Sequence, residues 1–189
     1  MNFEKPICFV GALLFFTAVM CSASLAEQLL NTPVYDPGSK SYFELVDGLH
    51  MKGCTETECN EGPNWGQADQ LARARAYKGV NGRLAVVQSI ETHFFLERTF
   101  QPQWQSWIGL RLLCGRRVLQ WSDGQIQKPS SFQAWDKQWS HDPYTCDGAA
   151  QQVYAGVAYT PVADGFRWFA MGIQKRFYSY FVQYPTGRP

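Results

Sequence analysis

Trp107-Ile108-Gly109-Leu110-Arg111, followed by Leu119-Gln120-Trp121-Ser122-Asp123-Gly124, decides the fold of this chain. The first run reads as a short apolar strand in which Gly109 admits a neighbouring backbone or a bulge. The second reads as a strand ending in a Ser-Asp-Gly turn, with a Trp large enough to anchor a core. Two Trp-bearing strands so close together specify a small β-rich core with helices packed against it.

Working upstream, Ser41-Tyr42-Phe43-Glu44-Leu45-Val46 alternates apolar and polar residues and predicts a first strand. A polar insertion over residues 48–64 carries Cys54 and Cys59. Trp65 to Ala74 places Ala and Leu at helical spacing, and the helix is expected to stop near Tyr77-Lys78-Gly79, with Gly79 as a left-handed cap. Gly82 to Val87 is β-branched and predicts another strand. Ser89 then offers an N-cap and Glu91 a first-turn acid for a second helix through Phe94-Phe95-Leu96.

Downstream of Trp121 lies a long irregular stretch, residues 125–148, holding Trp135, Trp139, Tyr144 and Cys146. Closing strands are expected near Gln152–Thr160, Phe166–Gly172 and Tyr178–Tyr184. This succession of a strand, two helices and then short strands around a long loop defines an α+β domain.

Met1 to Ala26 stands apart. Lys5 precedes an apolar run from Ile7 to Met20, and Ser24-Leu25-Ala26 sets small residues at the cleavage positions of a secretory signal peptide. A lipid anchor on Cys21 fits less well, because the bulky Met20 stands where a small residue is wanted. No later segment has the length and apolarity of a membrane span. Residues 27–41 read as an irregular leader, and residues 42–186 as one domain, exported to a periplasm or secreted. The roughly 160 residues after the signal support a sizeable core. Aromatic content of 15% with only 17% charged residues argues against disorder. A net charge of +1 without a basic run gives no footprint for nucleic acid or an acidic membrane surface.

After removal of the signal, Cys54, Cys59, Cys114 and Cys146 remain, an even number in an oxidising destination. Four cysteines allow three pairings. The favoured one joins Cys54 to Cys59 and Cys114 to Cys146. A zinc site is disfavoured by the loose C-x4-C spacing and the lack of a completing pair.

The words quoted so far resemble the signature of C-type lectin-like domains, of a bacterial type. Trp65-x-x-Ala68 and Gly82-Arg83-Leu84-Ala85-Val86-Val87-x-Ser89-x-Glu91 are similar to that family's first helix, strand and second-helix start. Tyr77 to Gly82 resembles a variant of that segment common in bacterial members. Trp107-Ile108-Gly109-Leu110 and Trp121-Ser122-Asp123-Gly124 match its central motif, Phe132-Gln133-Ala134-Trp135 its approach to the long loop, and Tyr180 to Tyr184 its last strand. The resemblance implies a C-type lectin-like fold with two helices packed on short antiparallel sheets. It also assigns Trp65, Trp107, Gly109, Trp121, Trp135 and Trp168 to the framework.

The departures bear on function. Calcium-dependent lectins of this family place Glu-Pro-Asn or Gln-Pro-Asp on the long loop and Trp-Asn-Asp on a later strand, and calcium needs about six to eight such oxygen donors. Here those positions fall on Trp139-Ser140-His141 and on Trp168-Phe169-Ala170. Glu61-Gly62-Pro63-Asn64 mimics the sugar motif but precedes the first helix, and reads as turn chemistry into Trp65. The family's outer disulfide positions fall near Ala72 and at Val182, so that bridge is replaced by apolar residues.

The expected function is a secreted recognition module for a protein or glycan ligand, without a cofactor and without calcium. The candidate ligand contacts are Trp139, His141, Asp142 and Tyr144, because aromatic side chains stack on sugar rings and anchor interfaces. Asp136, Asp142 and Asp147 form the acid set of the alternative, an atypical calcium lectin. A second alternative is an exported structural or assembly protein using the fold as a scaffold. His50, His93 and His141 lack metalloprotease spacing, and no nucleophile elbow or phosphate loop occurs, so catalysis is not expected.

Overall fold

The structure is a computed structural model and describes residues 32–47, 62–137 and 154–189. Its strands are β1 (Val34–Asp36), β2 (Ser41–Asp47), β3 (Ala76–Tyr77), β4 (Val80–Asn81), β5 (Arg83–Leu84), β6 (Ser106–Leu113), β7 (Val118–Trp121), β8 (Tyr154–Val162), β9 (Gly165–Met171) and β10 (Ser179–Tyr184). The helices are α1 (Trp65–Ala74) and α2 (Ile90–Phe100). Together they form an α+β domain with the order expected from the sequence.

The main sheet runs β1-β2-β10-β6-β8-β9, with β5 added to β10 and β7 to β6. All pairings are antiparallel except β10 with β6, which touch in parallel at only two positions, Ser179↔Ser106 and Tyr180↔Trp107. Beyond that short seam the two strands part, and the chain at residues 83–87 enters between them. Val182 and Gln183 pair with Leu84 and Arg83. Ala85 then donates to the Phe181 carbonyl at 2.9 Å and accepts from the Gly109 amide at 2.8 Å.

Gly109 is the residue that permits this. The β6–β8 ladder breaks register between Trp107 and Arg111, the expected bulge. A Cβ at position 109 would lie 2.6 Å from the Leu84 carbonyl oxygen and 2.6 Å from the Ser122 hydroxyl. Only glycine lets the two backbones meet at that distance.

Two apolar clusters lie about this seam. One gathers Phe43, Leu96, Ile108, Leu110, Trp121, Tyr159, Trp168 and Phe181. The other gathers Trp65, Ala68, Ala72, Leu84, Trp107, Tyr180, Val182 and Tyr184. Trp65, Trp107 and Trp121 are buried and each spends its indole N–H inside the fold, on the carbonyls of Ile108 and Pro63 and on Gln127 Oε1. Ala72 and Val182 are both fully buried and flank Gly82, whose added Cβ would meet the Ala72 carbonyl at 2.5 Å and Val182 Cγ1 at 2.8 Å. Apolar packing thus fills the place where the resemblance puts the outer disulfide.

Local signals set the helix starts. Asn64 accepts from the Gln67 amide while Gln67 returns a bond to the Asn64 amide, a capping box that opens α1. Pro63 and Asn64 of the sugar-motif mimic therefore serve as turn and cap. Ser89 accepts from the Thr92 amide and opens α2, with Glu91 in its first turn.

Three expectations are corrected. The leader assigned to residues 27–41 contains β1, which pairs with β2 through Val34↔Phe43, Tyr35↔Tyr42 and Asp36↔Ser41. Buried Asp36 makes that turn, accepting from the Gly38 and Ser39 amides and from Thr92 of α2. Helix α1 ends at Ala74, short of Gly79. Gly79 (φ 76°) and Lys78 (φ 48°) instead form the two-residue turn of the β3–β4 hairpin, where both central residues need positive φ. The Gly82–Val87 run is strand only at Arg83–Leu84, because beyond Leu84 it bonds to β10 and β6 through single backbone contacts rather than a ladder.

Candidate functional site

Of the residues expected to contact ligand, Trp139, His141, Asp142 and Tyr144 lie outside the described residues. So do Asp147, Cys54, Cys59 and Cys146. Cys114 sits half-buried just beyond the end of β6. What the structure does describe is the approach to the long loop, where residues 132–137 run alongside β9.

That approach is fixed by backbone bonds. The Trp168 amide donates to the Ala134 carbonyl at 2.7 Å, and the Asp136 amide to the Trp168 carbonyl at 3.4 Å. Trp168 is completely buried, and Trp121, Phe132 and Trp135 meet it edge-on, with centroids at 5.7, 5.8 and 5.5 Å. Edge-to-face aromatic pairs add about 0.5–1.5 kcal/mol each beyond their burial. Trp135 is only half-buried and donates its indole N–H to Gln133 Oε1 at 3.0 Å.

Strand β9 alternates. Phe166, Trp168 and Ala170 face the core, whereas Arg167, Phe169 and Met171 are half-buried on the other side. The two positions at which calcium lectins of the resembling family supply oxygens therefore hold an aromatic ring and a core methyl. Among the described residues no three His, Cys, Asp or Glu side chains converge as metal ligands.

Beside Trp135, between α2 and the β8–β9 hairpin, opens a cavity of about 300 Å³. Phe94, Phe132 and Trp135 supply aromatic walls, and Glu97, Asp164 and Arg167 supply polar groups. Arg167 is paired with Asp164 at 2.9 Å. His93 lies at the cavity's inner end, buried, with Nδ1 taken by the Tyr159 hydroxyl and Nε2 3.9 Å from Glu97 Oε2. Burial, with the Arg167 guanidinium nearby, lowers the His93 pKa to about 4, so the ring is neutral at physiological pH. Burial pushes the Tyr159 phenol well above its usual range, and it stays protonated. The cavity thus joins aromatic faces to a neutral imidazole that is bonded to a phenol.

Sequence reading did not bring these residues together. In the sequence His93 lacks metal-ligand spacing, and nothing marks Phe94, Glu97, Asp164 or Arg167 as its neighbours. The signal the sequence does carry is Ile90 and Phe94, two large apolar residues one helical turn apart, which the structure leaves 48% and 40% exposed.

The family model described as the lectin C-type domain matches residues 63–171, from the turn before α1 to the end of β9. The chain belongs to the C-type lectin domain family. Solved lectin domains share its fold. Human lithostathine aligns with a TM-score of 0.55 at 15% identity, over 82% of this chain and 88% of that one. The cow C-type carbohydrate-recognition domain of CD23, crystallised in the presence of a GlcNAc2Man3 oligosaccharide, aligns at 0.54 and 20% identity, over 80% and 91% of the two chains. The C-type lectin domain of murine dendritic cell inhibitory receptor 2, in complex with an N-glycan, aligns at 0.53 and 15% identity, over 79% and 94%. No curated protein matches the sequence. Within the lectin domain, Trp65, Trp107, Trp121 and Trp168 are buried and Trp135 is half-buried. Among the described residues, no helix has the length and apolarity to cross a membrane.

Proposed function

We propose that the chain is an exported recognition module that binds a glycan or protein ligand without calcium, through the Trp135 end of β9 and the long loop that follows it. C-type lectin domains are recognition modules rather than catalysts. The observation that carries the calcium-independent part is the content of β9: Phe169 and Ala170 offer no side-chain oxygen, and Ala170 is buried against the core. An ion that needs about six to eight oxygens has lost one side of its cage. The aromatic cavity supports the ligand class, since rings such as Trp135 and Phe132 stack on the C–H faces of sugars while Glu97 and Arg167 reach hydroxyls. Export rests on the Met1–Ala26 signal pattern. The same reading pairs Cys114 with Cys146 and Cys54 with Cys59.

A glycan array, probed with and without EDTA, tests this together with calorimetric titration of Ca²⁺. Binding that survives EDTA, with no heat on adding Ca²⁺ and no rise in melting temperature, is expected. Abolition of binding by EDTA sinks the calcium-independent part. Ligand binding untouched by Trp135→Ala, Trp139→Ala and Tyr144→Ala would place the site elsewhere.

A further inference from the structure

A second concavity, of about 370 Å³, lies between the β6–β7 hairpin and residues 126–133. Leu112, Val118, Leu119, Ile126 and Pro129 make its surface apolar. Ile126 leaves 45% of its surface in water, a cost with no visible return in the isolated domain.

The polar atoms in its walls are already committed. Gln127 accepts from Trp121 Nε1 at 2.6 Å and donates to the Phe132 carbonyl at 2.9 Å. Gln133 donates to the Pro129 carbonyl at 2.8 Å and accepts from Trp135. The outer edge of β7 is closed as well: the Trp121 amide donates to the Gln125 carbonyl, and the Gln127 amide to that of Leu119. These bonds occupy ladder groups that an added peptide strand would need. The walls suit a ligand that asks for no hydrogen bonds along its length.

The rim is different. Among the described residues that line the groove, Arg117 and Lys128 are exposed cations, Cys114 is disulfide-bonded, and none is a carboxylate. Neither cation forms an ion pair among the described residues. Arg117 is held at φ 52°, a backbone conformation that costs a residue with a Cβ about 1–2 kcal/mol. An apolar trough with two cations in its lining, neither ion-paired among the described residues, is complementary to an aliphatic chain with an anionic head.

We propose that this groove binds a free fatty acid, its chain on Leu112, Val118, Leu119, Ile126 and Pro129 and its carboxylate at Arg117 and Lys128. The site is separate in ligand class from the aromatic cavity beside Trp135.

Calorimetric titration of the intact protein with monomeric dodecanoate, dodecylamine and dodecanol tests it, with sedimentation of anionic phospholipid vesicles alongside. Saturable binding of dodecanoate is expected, about tenfold tighter than dodecylamine. In the Arg117→Glu, Lys128→Glu double variant, whose exposed side chains leave the melting temperature unchanged, that order should reverse. Ile126→Asp should weaken dodecanoate and dodecanol together. Equal affinity for dodecanoate and dodecylamine, an unaltered order in the double variant, or binding only to vesicles would each overturn the proposal.

Discussion

The amide of Gly109 donates to the carbonyl of Ala85 at 2.8 Å, joining two segments that no regular ladder connects. Through this bond and its neighbour from Ala85 to Phe181, the segment after β5 sits between β10 and β6. The contact depends on a missing side chain. Gly109→Ala would drive a methyl to 2.6 Å from both the Leu84 carbonyl oxygen and the Ser122 hydroxyl, itself bonded to that carbonyl. Neither the strand nor the buried turn can retreat freely. A loss of about 2–4 kcal/mol in urea unfolding is expected. A variant as stable as the wild type would mean that the seam yields.

His93 makes stability depend on pH in a defined window. Its folded pKa is lowered to about 4 by burial and by Arg167, while the unfolded chain keeps the ordinary value near 6.5. Between those values the unfolded state binds the extra proton, so stability falls as the pH falls from about 6.5 towards 4, and levels off below. The full loss is about 3–3.5 kcal/mol, of which about 2.5 kcal/mol is reached by pH 4.5. Denaturant melts at pH 7 and pH 4.5 measure it. His93→Gln, which keeps a hydrogen-bonding group for Tyr159, should flatten the difference. An unchanged slope in that variant would assign the acid sensitivity to other groups.

Glu44 is 1% exposed and takes bonds from both Arg75 and the Tyr184 hydroxyl, the latter at 2.6 Å. Burial and the bond to Glu44 push the Tyr184 phenol upward, which keeps it a donor. Removing the cation leaves a buried carboxylate with one neutral partner. Arg75→Met should cost about 2–3 kcal/mol, since the arginine is itself partly exposed. Adding Glu44→Gln should return about half of that loss. Additive single effects in the double-mutant cycle would show that the pair does not couple.

The parts of this fold that were legible in the sequence are those with a local cause. Gly109 sits in a strand where a side chain would be expected, Ser89 and Glu91 stand before an apolar helical run, and large aromatics punctuate short strands. The turn residues were also visible, but their partners were not. Gly79 reads equally well as a helix cap or as a hairpin turn, and the choice falls to Arg75, whose guanidinium is drawn to Glu44, 31 residues earlier. β1 was missed because three residues carry no period, and its existence depends on Asp36 reaching Thr92 of α2, 56 residues away. The cavity beside Trp135 was invisible for the same reason. His93 and Tyr159 stand 66 residues apart, and neither position in the sequence points to the other. The candidate ligand contacts on the long loop, by contrast, rest on its aromatic content and on the loop's place in the family resemblance.

The placement of β2 between β1 and β10 has a mechanical consequence. β1 and β10 flank β2 and both run antiparallel to it, so they lie parallel to one another. The chain enters at the start of β1 and leaves at the end of β10, in opposite directions along β2. Tension applied between those ends loads the β1–β2 and β2–β10 ladders lengthwise, in shear, and strains their rungs together rather than one at a time. Tethered at one end only, the domain bears ligand-borne load without stressing either ladder.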